Sequence, residues 1–171
     1  AWPRVIRYRP ARMQDRDYLF ESRNEEAARR ASINARRVSD EEHDAWLEGA
    51  LHDSAHDVLI AHEGPQRVAV LRFARGEATS TISIAIDRAA RGRGLASQMI
   101  REASEMQLLA HREVASVRAD IREDNVASIR AFEGAGYGHI GRAYAPRFER
   151  WTLTRESLRR GVPIKSLGTA R

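Results

Sequence analysis

The segment Arg91-Gly92-Arg93-Gly94-Leu95-Ala96 joins a strand-like run, Thr81 to Asp87, to a helix-like run from Ala96 to Leu109. Glycines at such a junction let the backbone approach a ligand, and the helix that follows starts with N–H groups that have no partner within it. Together they form a seat for a pyrophosphate. A Walker loop would end in Gly-Lys-Ser/Thr, whereas this one runs Gly94-Leu95-Ala96, so that reading fails. A dinucleotide fingerprint would follow the first strand of a βαβ unit. The spacing Gly92-x-Gly94-x-x-Ser97 comes close, but the strands before it read as a meander. A plain turn is the remaining alternative.

Periodicity around the loop divides the chain into thirds. In the first, Val5 to Tyr8 alternates like a strand ended by Pro10, and helical spacing follows over Asp15 to Asn24 and Glu25 to Ala31. Ser39 with Glu42 three residues on is a capping box, opening a helix whose stripe is Ala45, Trp46, Ala50 and Leu51. In the second, Asp57 to His62, Arg67 to Arg75 and Ala78 to Asp87 are strands joined by short turns, which predicts an antiparallel meander delivering the glycine loop. In the last, a helix over Leu95 to His111 carries Leu95, Met99, Ile100, Ala103, Met106 and Leu109 near one face. A strand at Val114 to Ile121, a helix at Asn125 to Ala135 and strands at His139 to Tyr144 and Phe148 to Leu153 complete the pattern. This predicts one domain over residues 4–154 and a tail over 155–171 without apolar periodicity.

Composition narrows the function classes. The net charge of +5 is carried almost wholly by arginine, with Lys165 the only lysine, and the arginines are scattered rather than gathered in a recognition stripe. Arginine suits phosphate-rich ligands, but nothing resembling a metal finger, helix-turn-helix or aromatic-interleaved basic strand points to nucleic acid. The absence of cysteine removes disulfides, thiolate metal sites and a thiol nucleophile. His52 and His56 lack further ligands, so no metal is expected. No membrane-length apolar run or signal peptide is visible, so the expectation is a cytoplasmic protein, monomeric or homodimeric. The sequence leaves open whether Ala1-Trp2-Pro3 belongs to a longer polypeptide.

The loop combined with Asn125-Val126-Ala127-Ser128-Ile129-Arg130-Ala131-Phe132-Glu133-Gly134-Ala135-Gly136-Tyr137 resembles the two signature motifs of the GCN5-related N-acetyltransferase (GNAT) superfamily. The first corresponds to its Arg/Gln-x-x-Gly-x-Gly/Ala loop and the second to its Asn-x-x-Ser/Ala-Ile-x-x-aromatic-x-x-x-Gly-aromatic helix. The resemblance spans roughly Val5 to Leu153. It implies an α/β (α+β) fold: a mixed, largely antiparallel seven-stranded sheet splayed between its fourth and fifth strands, with helices on both faces.

The same resemblance implies acetyl-CoA as cosubstrate. Backbone groups of Ile84, Ala85 and Ile86 would hold the pantetheine arm where the two strands part. The amides of Gly92, Arg93, Gly94, Leu95 and Ala96 would hold the pyrophosphate, with Arg91 and Arg93 adding charge. Asn125, Ser128 and Phe132 would line the cofactor from the second motif, although Asn125 also reads as a plain N-cap.

Acetyl transfer to an amine requires a base to remove its proton and a donor for the oxyanion, here a strand amide near Ile84. Asp120 and Ser80 are the base candidates, pictured as a water relay; each is also readable as an ordinary solvated strand residue. The family's tyrosine acid is replaced by Phe132, which cannot donate a proton. Either Ser128, Tyr137 or Tyr144 protonates the sulfur, or a thiolate of pKa about 8.5 leaves unassisted.

For the acceptor, Arg23-Asn24 with Ser32 and Glu42-His43-x-x-Trp46-Leu47 resembles the nucleotide-amino-sugar N-acetyltransferases of pseudaminic-acid-type pathways. It implies that Arg23, Asn24, His43 and Trp46 contact a small-molecule amine such as a UDP-amino sugar. The alternative makes Trp46 core and His43 a surface residue. Two other functions stay open: acetylation of ribosomal-protein or peptide α-amines, and a non-catalytic acyl-CoA-binding module.

Overall fold

The computed structural model describes residues 4–160, so the first three residues and most of the predicted tail lie outside the described part. Seven strands form one sheet in the order β1-β2-β3-β4-β5-β7-β6. The described residues fall into two compact units: residues 4–75 with 82–93, and residues 76–81 with 94–160. The strand β4 (Thr79–Ile86) contributes to both.

In the first unit, β1 (Ile6–Pro10), β2 (His56–Glu63) and β3 (Gln66–Arg75) pair antiparallel, with Ile60 opposite Val70 and Val58 opposite Arg72. Gly64 takes a positive φ of 58° and closes the tight turn between β2 and β3. Three helices, α1 (Arg16–Asn24), α2 (Glu26–Ala31) and α3 (Asp40–His52), lie between β1 and β2 in sequence. The predicted capping box starts α3: Ser39 Oγ accepts from the Glu42 amide at 3.2 Å, and the Glu42 carboxylate accepts from the Ser39 amide at 3.0 Å. Leu19 and Leu47 carry α1 and α3 onto Val58, Ile60 and Val70, forming a core against which Tyr18, Trp46 and Leu51 also pack.

In the second unit, the start of β4 pairs parallel with β5 (Ser116–Arg122) through Thr79–Ser116, Ser80–Val117 and Thr81–Arg118. β5 pairs antiparallel with β7 (Phe148–Thr154), and β7 with β6 (Gly138–Arg142). The long helix α4 (Leu95–Ala110) and the shorter α5 (Val126–Gly134) meet where Ser97 Oγ donates to the Ala131 carbonyl at 2.9 Å.

Two expectations need correction here. The spacing puts Met106 and Leu109 near the apolar face of α4, but they are 43% and 78% exposed. The buried arc instead includes Ser104 and Gln107, whose polar ends are satisfied by the Tyr137 hydroxyl at 2.7 Å and Ser80 Oγ at 3.2 Å. A stripe inferred from apolar residues alone misses an arc completed by hydrogen-bonded polar ones. The segment after β7 is also not featureless from its start. Arg155–Arg159 forms a short helix α6, opened by a capping box of Thr154 and Ser157. Arg155 donates to the carbonyls of Leu108, His111 and Val114 at 2.6–3.1 Å. These polar contacts hold an element that has no apolar periodicity.

Candidate active site

The glycine loop has a left-handed backbone with uncommitted amides. Gly92 and Gly94 have φ of 70° and 73°, a left-handed conformation costly for any residue with a Cβ, and an added Cβ at either position would meet only open space. Gly94 is the N-cap of α4 and has no side-chain capping bond. Among the described residues, no protein acceptor takes the main-chain amides of Gly92, Arg93, Gly94, Leu95 or Ala96. Uncommitted amides at the positive end of a sixteen-residue helix suit a pyrophosphate.

The loop arginines are engaged within the protein. Arg91 forms a two-pronged ion pair with Glu25 and donates from Nε to the Ile86 carbonyl at 3.0 Å. Arg93 pairs with Glu63, and its carbonyl accepts from Arg4 at 2.8 Å. These contacts brace Arg91 and Arg93 within the first unit. The Arg91 and Arg93 charges are partnered by carboxylates, so the amides and the helix dipole are the uncommitted positive groups of the loop. Ile84, Ala85 and Ile86 follow one another on β4, and all three keep accessible surface.

The second motif is structured as α5. Asn125 caps it, with Oδ1 accepting from the Ser128 amide at 3.2 Å. Phe132 is buried and meets the Tyr137 ring edge to face at 5.0 Å. Tyr137 is spent in the core: its hydroxyl is bonded to Ser104, and burial pushes its pKa above the ordinary tyrosine value. Tyr144 lies fully exposed in the connection between β6 and β7.

The structure does not bring Ser80 and Asp120 together. Ser80 is the register partner of Val117, whereas Asp120 shares the opposite face of the sheet with Arg118, whose Nη2 donates to Thr81 at 3.3 Å. Alternation along a strand makes this unavoidable: residues 117 and 120 point to opposite sides. Ser80 is fully buried beside Gln107, so it cannot relay water to Asp120. Asp120 faces Arg150 across β5 and β7, accepting at 2.9 and 3.1 Å. Sequence reasoning missed Arg150, because that partner follows only from the β5–β7 register.

On α1, Asn24 is also committed. Its side-chain amide clamps the Val38 backbone, donating to the carbonyl at 2.9 Å and accepting from the amide at 2.8 Å. His43 is buried, against the surface alternative, between Phe20 at 5.3 Å and Trp46 at 5.6 Å. Neither of its ring nitrogens has a hydrogen-bond partner, Asp44 being 3.9 Å away. Burial, with the Arg72 and Arg16 charges, lowers its pKa. Arg23 donates to the Asn34 carbonyl at 3.0 Å and leaves Nη1 buried without a partner. Arg72, also missed from the sequence, lies 4.6 Å over the Trp46 ring. Its place two residues after Val70 on β3 could have revealed it as an inward-facing charge. Among the described residues, no cluster of three or more metal-ligating side chains occurs, and no helix is long and apolar enough to cross a membrane.

A strand delivering a loop of uncommitted amides into a helix, on a mixed seven-stranded sheet, is the arrangement that the resemblance implies for an acyl-CoA-dependent transferase. The chain matches the acetyltransferase (GNAT) domain over residues 6–138, and it belongs to that family. Among solved structures, aminoglycoside acetyltransferase AAC(6')-Ib in complex with coenzyme A is 18% identical, with a TM-score of 0.78 over 91% of this chain and 98% of that one. Spermidine N-acetyltransferase from Vibrio cholerae, in complex with CoA and spermine, is 12% identical, with a TM-score of 0.79 over 89% and 96%. An uncharacterized protein from Bacillus halodurans is 14% identical, with a TM-score of 0.77 over 91% and 86%. At these identities the likeness speaks for the fold. Comparison with curated protein sequences gives no match.

Proposed function

We propose that this chain moves the acetyl group of acetyl-CoA to the primary amine of a small molecule, with a nucleotide-linked amino sugar as the first acceptor to test. The observation that carries the donor half is the run of uncommitted amides from Gly92 to Ala96 at the start of α4. They hold the pyrophosphate, the main chain of Ile84, Ala85 and Ile86 holds the pantetheine, and Asn125, Ser128 and Phe132 line the cofactor.

Acetyl-CoA supplies an activated acyl group; the protein must supply deprotonation and charge stabilisation. Asp120 is the base. Arg150 fixes its orientation, and each carboxylate oxygen keeps a second lone pair able to receive a proton through water. The Ile84 amide serves the acyl oxygen as negative charge develops there. With the Tyr137 hydroxyl committed to Ser104 and Phe132 unable to donate, the sulfur takes a proton from Ser128 or Tyr144, or leaves as thiolate. Ser80 has a structural role beside Gln107.

Arg23, His43 and Trp46 contact the acceptor, supported by the unpartnered polar atoms of the first two. A polyamine or aminoglycoside acceptor is the second reading, favoured by the names of the structural neighbours. The test is thermal stabilisation by acetyl-CoA, followed by thiol release with UDP-amino sugars, kanamycin, spermidine and amine-terminal peptides. Stabilisation with thiol release on the sugar supports the proposal. Release only on spermidine or kanamycin moves the assignment to the second reading, and stabilisation without release on any amine leaves an acyl-CoA-binding module.

A further inference from the structure

We propose that Arg72, together with Arg23, holds an oxyanion of the acceptor, a phosphate or a carboxylate, on the face of β3 covered by α1 and α3. The inference rests on the reading of these helices as the acceptor side of an acetyltransferase, and it names what they recognise.

Arg72 is an anomaly within its strand. Val70 and Arg72 point the same way, and Val70 is fully buried. Arg72 stands opposite Val58, a member of the same apolar core. A guanidinium in such a place needs a counter-charge or hydrogen bonds, because an isolated ion loses its hydration when it is buried. Among the described residues it has neither: its one partner is the face of Trp46. Neighbouring carboxylates serve other arginines. Asp40 and Asp44 bind Arg16, Glu42 binds Arg36, and Asp57 binds Arg75.

A second cation makes the arrangement less favourable still. Burial, and after it the Arg23 charge, lower the Arg72 pKa to about 10, so the group remains charged at neutral pH. Arg23 itself has its pKa lowered, chiefly by burial, and keeps Nη1 buried and unbonded. Two like charges, one of them with a buried unbonded donor at Arg23 Nη1, are compensated at once by an oxyanion, which guanidinium forks grip in bidentate fashion. His43, neutral and with both ring nitrogens free, supplies one further donor. Arg72 retains some accessible surface, so a ligand can reach it. A polycationic acceptor would be repelled by the same cluster, which separates this chain from the acceptors named for its structural neighbours.

The experiment uses the full chain saturated with CoA, so that the pyrophosphate seat is occupied. Inorganic phosphate, and separately acetate, are titrated at constant ionic strength while the melting temperature is followed, for the wild type, Arg72→Met and Arg23→Met. The expected result is a saturable rise for the wild type with at least one anion, lost in Arg72→Met and reduced in Arg23→Met; the better anion identifies the group. In parallel, thiol release is compared for glucosamine and glucosamine 6-phosphate. The phosphorylated amine should have a KM at least about tenfold lower, with the difference abolished by Arg72→Met. Equal responses of wild type and Arg72→Met, or a preference for spermidine, overturn the inference. If CoA itself fails to raise the melting temperature, the acetyltransferase reading fails first, a result visible before any anion is added. Should Arg72→Met not fold, Arg23→Met carries the same comparison.

Discussion

Asp120 and Arg150 are register partners on β5 and β7, and the guanidinium grips the carboxylate through Nε at 2.9 Å and Nη2 at 3.1 Å. The pair lies on the face of β5 that also carries Arg118, and Ser80 lies on the other. Asp120→Asn keeps the shape of the side chain but removes its capacity to take a proton. It should lower kcat by about a hundred- to ten-thousandfold, while acetyl-CoA stabilises the protein as before. Ser80→Ala should leave kcat within a few fold and lower stability by about 1 kcal/mol through loss of the Gln107 bond. If Ser80→Ala instead matched Asp120→Asn in activity, the division of roles drawn from the strand register would be wrong.

Gly94 is the N-cap of α4 at a φ of 73°, with space around it. Gly94→Ala therefore acts through backbone strain rather than collision. A left-handed alanine costs about 1–2 kcal/mol, which the loop can relieve by turning its amides away from their common target. Calorimetric titration should show acetyl-CoA binding weakened about tenfold or more, with a small fall in melting temperature. Unchanged affinity would mean that the pyrophosphate is not held by this loop.

How much of this was readable beforehand depended on whether the determinant was local. The glycine loop, the Ser39 capping box and the short-turned meander depend on residues within a few positions of one another, and they emerge from the sequence at nearly the right bounds. The separation of Ser80 from Asp120 depends on a parallel register between strands thirty-seven residues apart, and no local pattern encodes it. The same holds for Asn24. Its amide type suits a ligand or a backbone clamp equally well, and only the return of the chain at Val38 decides the matter. Arg72 is an intermediate case: the alternation of β3 marks it as inward, but the lack of a carboxylate partner is a tertiary fact.

Gly134 sits where α5 crosses α4, and a Cβ there would lie 2.6 Å from Ser97 Oγ and 3.3 Å from its Cβ. The Ser97 hydroxyl also bonds the Ala131 carbonyl, so it is not free to swing aside without losing that bond. Gly134→Ala should cost about 1–3 kcal/mol by overpacking and should weaken acetyl-CoA binding, because Ser97 lies in the first turn of α4. Adding Ser97→Ala removes the shorter of the two contacts and should restore part of both losses. Denaturant titration of the single and double variants checks this; a double variant no better than Gly134→Ala would place the strain elsewhere.

His43 is buried with both ring nitrogens unbonded, and its pKa is lowered chiefly by that burial. The consequence for stability has a definite sign. Below the unfolded histidine value of about 6.5 the unfolded chain takes up a proton that the folded chain refuses. Stability therefore falls as the pH drops through that value, by up to about 1.4 kcal/mol per unit, until the lowered folded pKa is reached and the loss levels off. His43→Phe removes the titrating group while keeping an aromatic ring between Phe20 and Trp46. Its stability should equal or exceed that of the wild type at pH 8, and the gap should widen toward pH 5 as the wild type alone pays for the neutral imidazole. Urea denaturation at pH 8, 7, 6 and 5 provides the comparison. Parallel curves for the two proteins would show that His43 is protonated as readily in the folded chain as in the unfolded one, and that its ring nitrogens do have a partner to accept the charge.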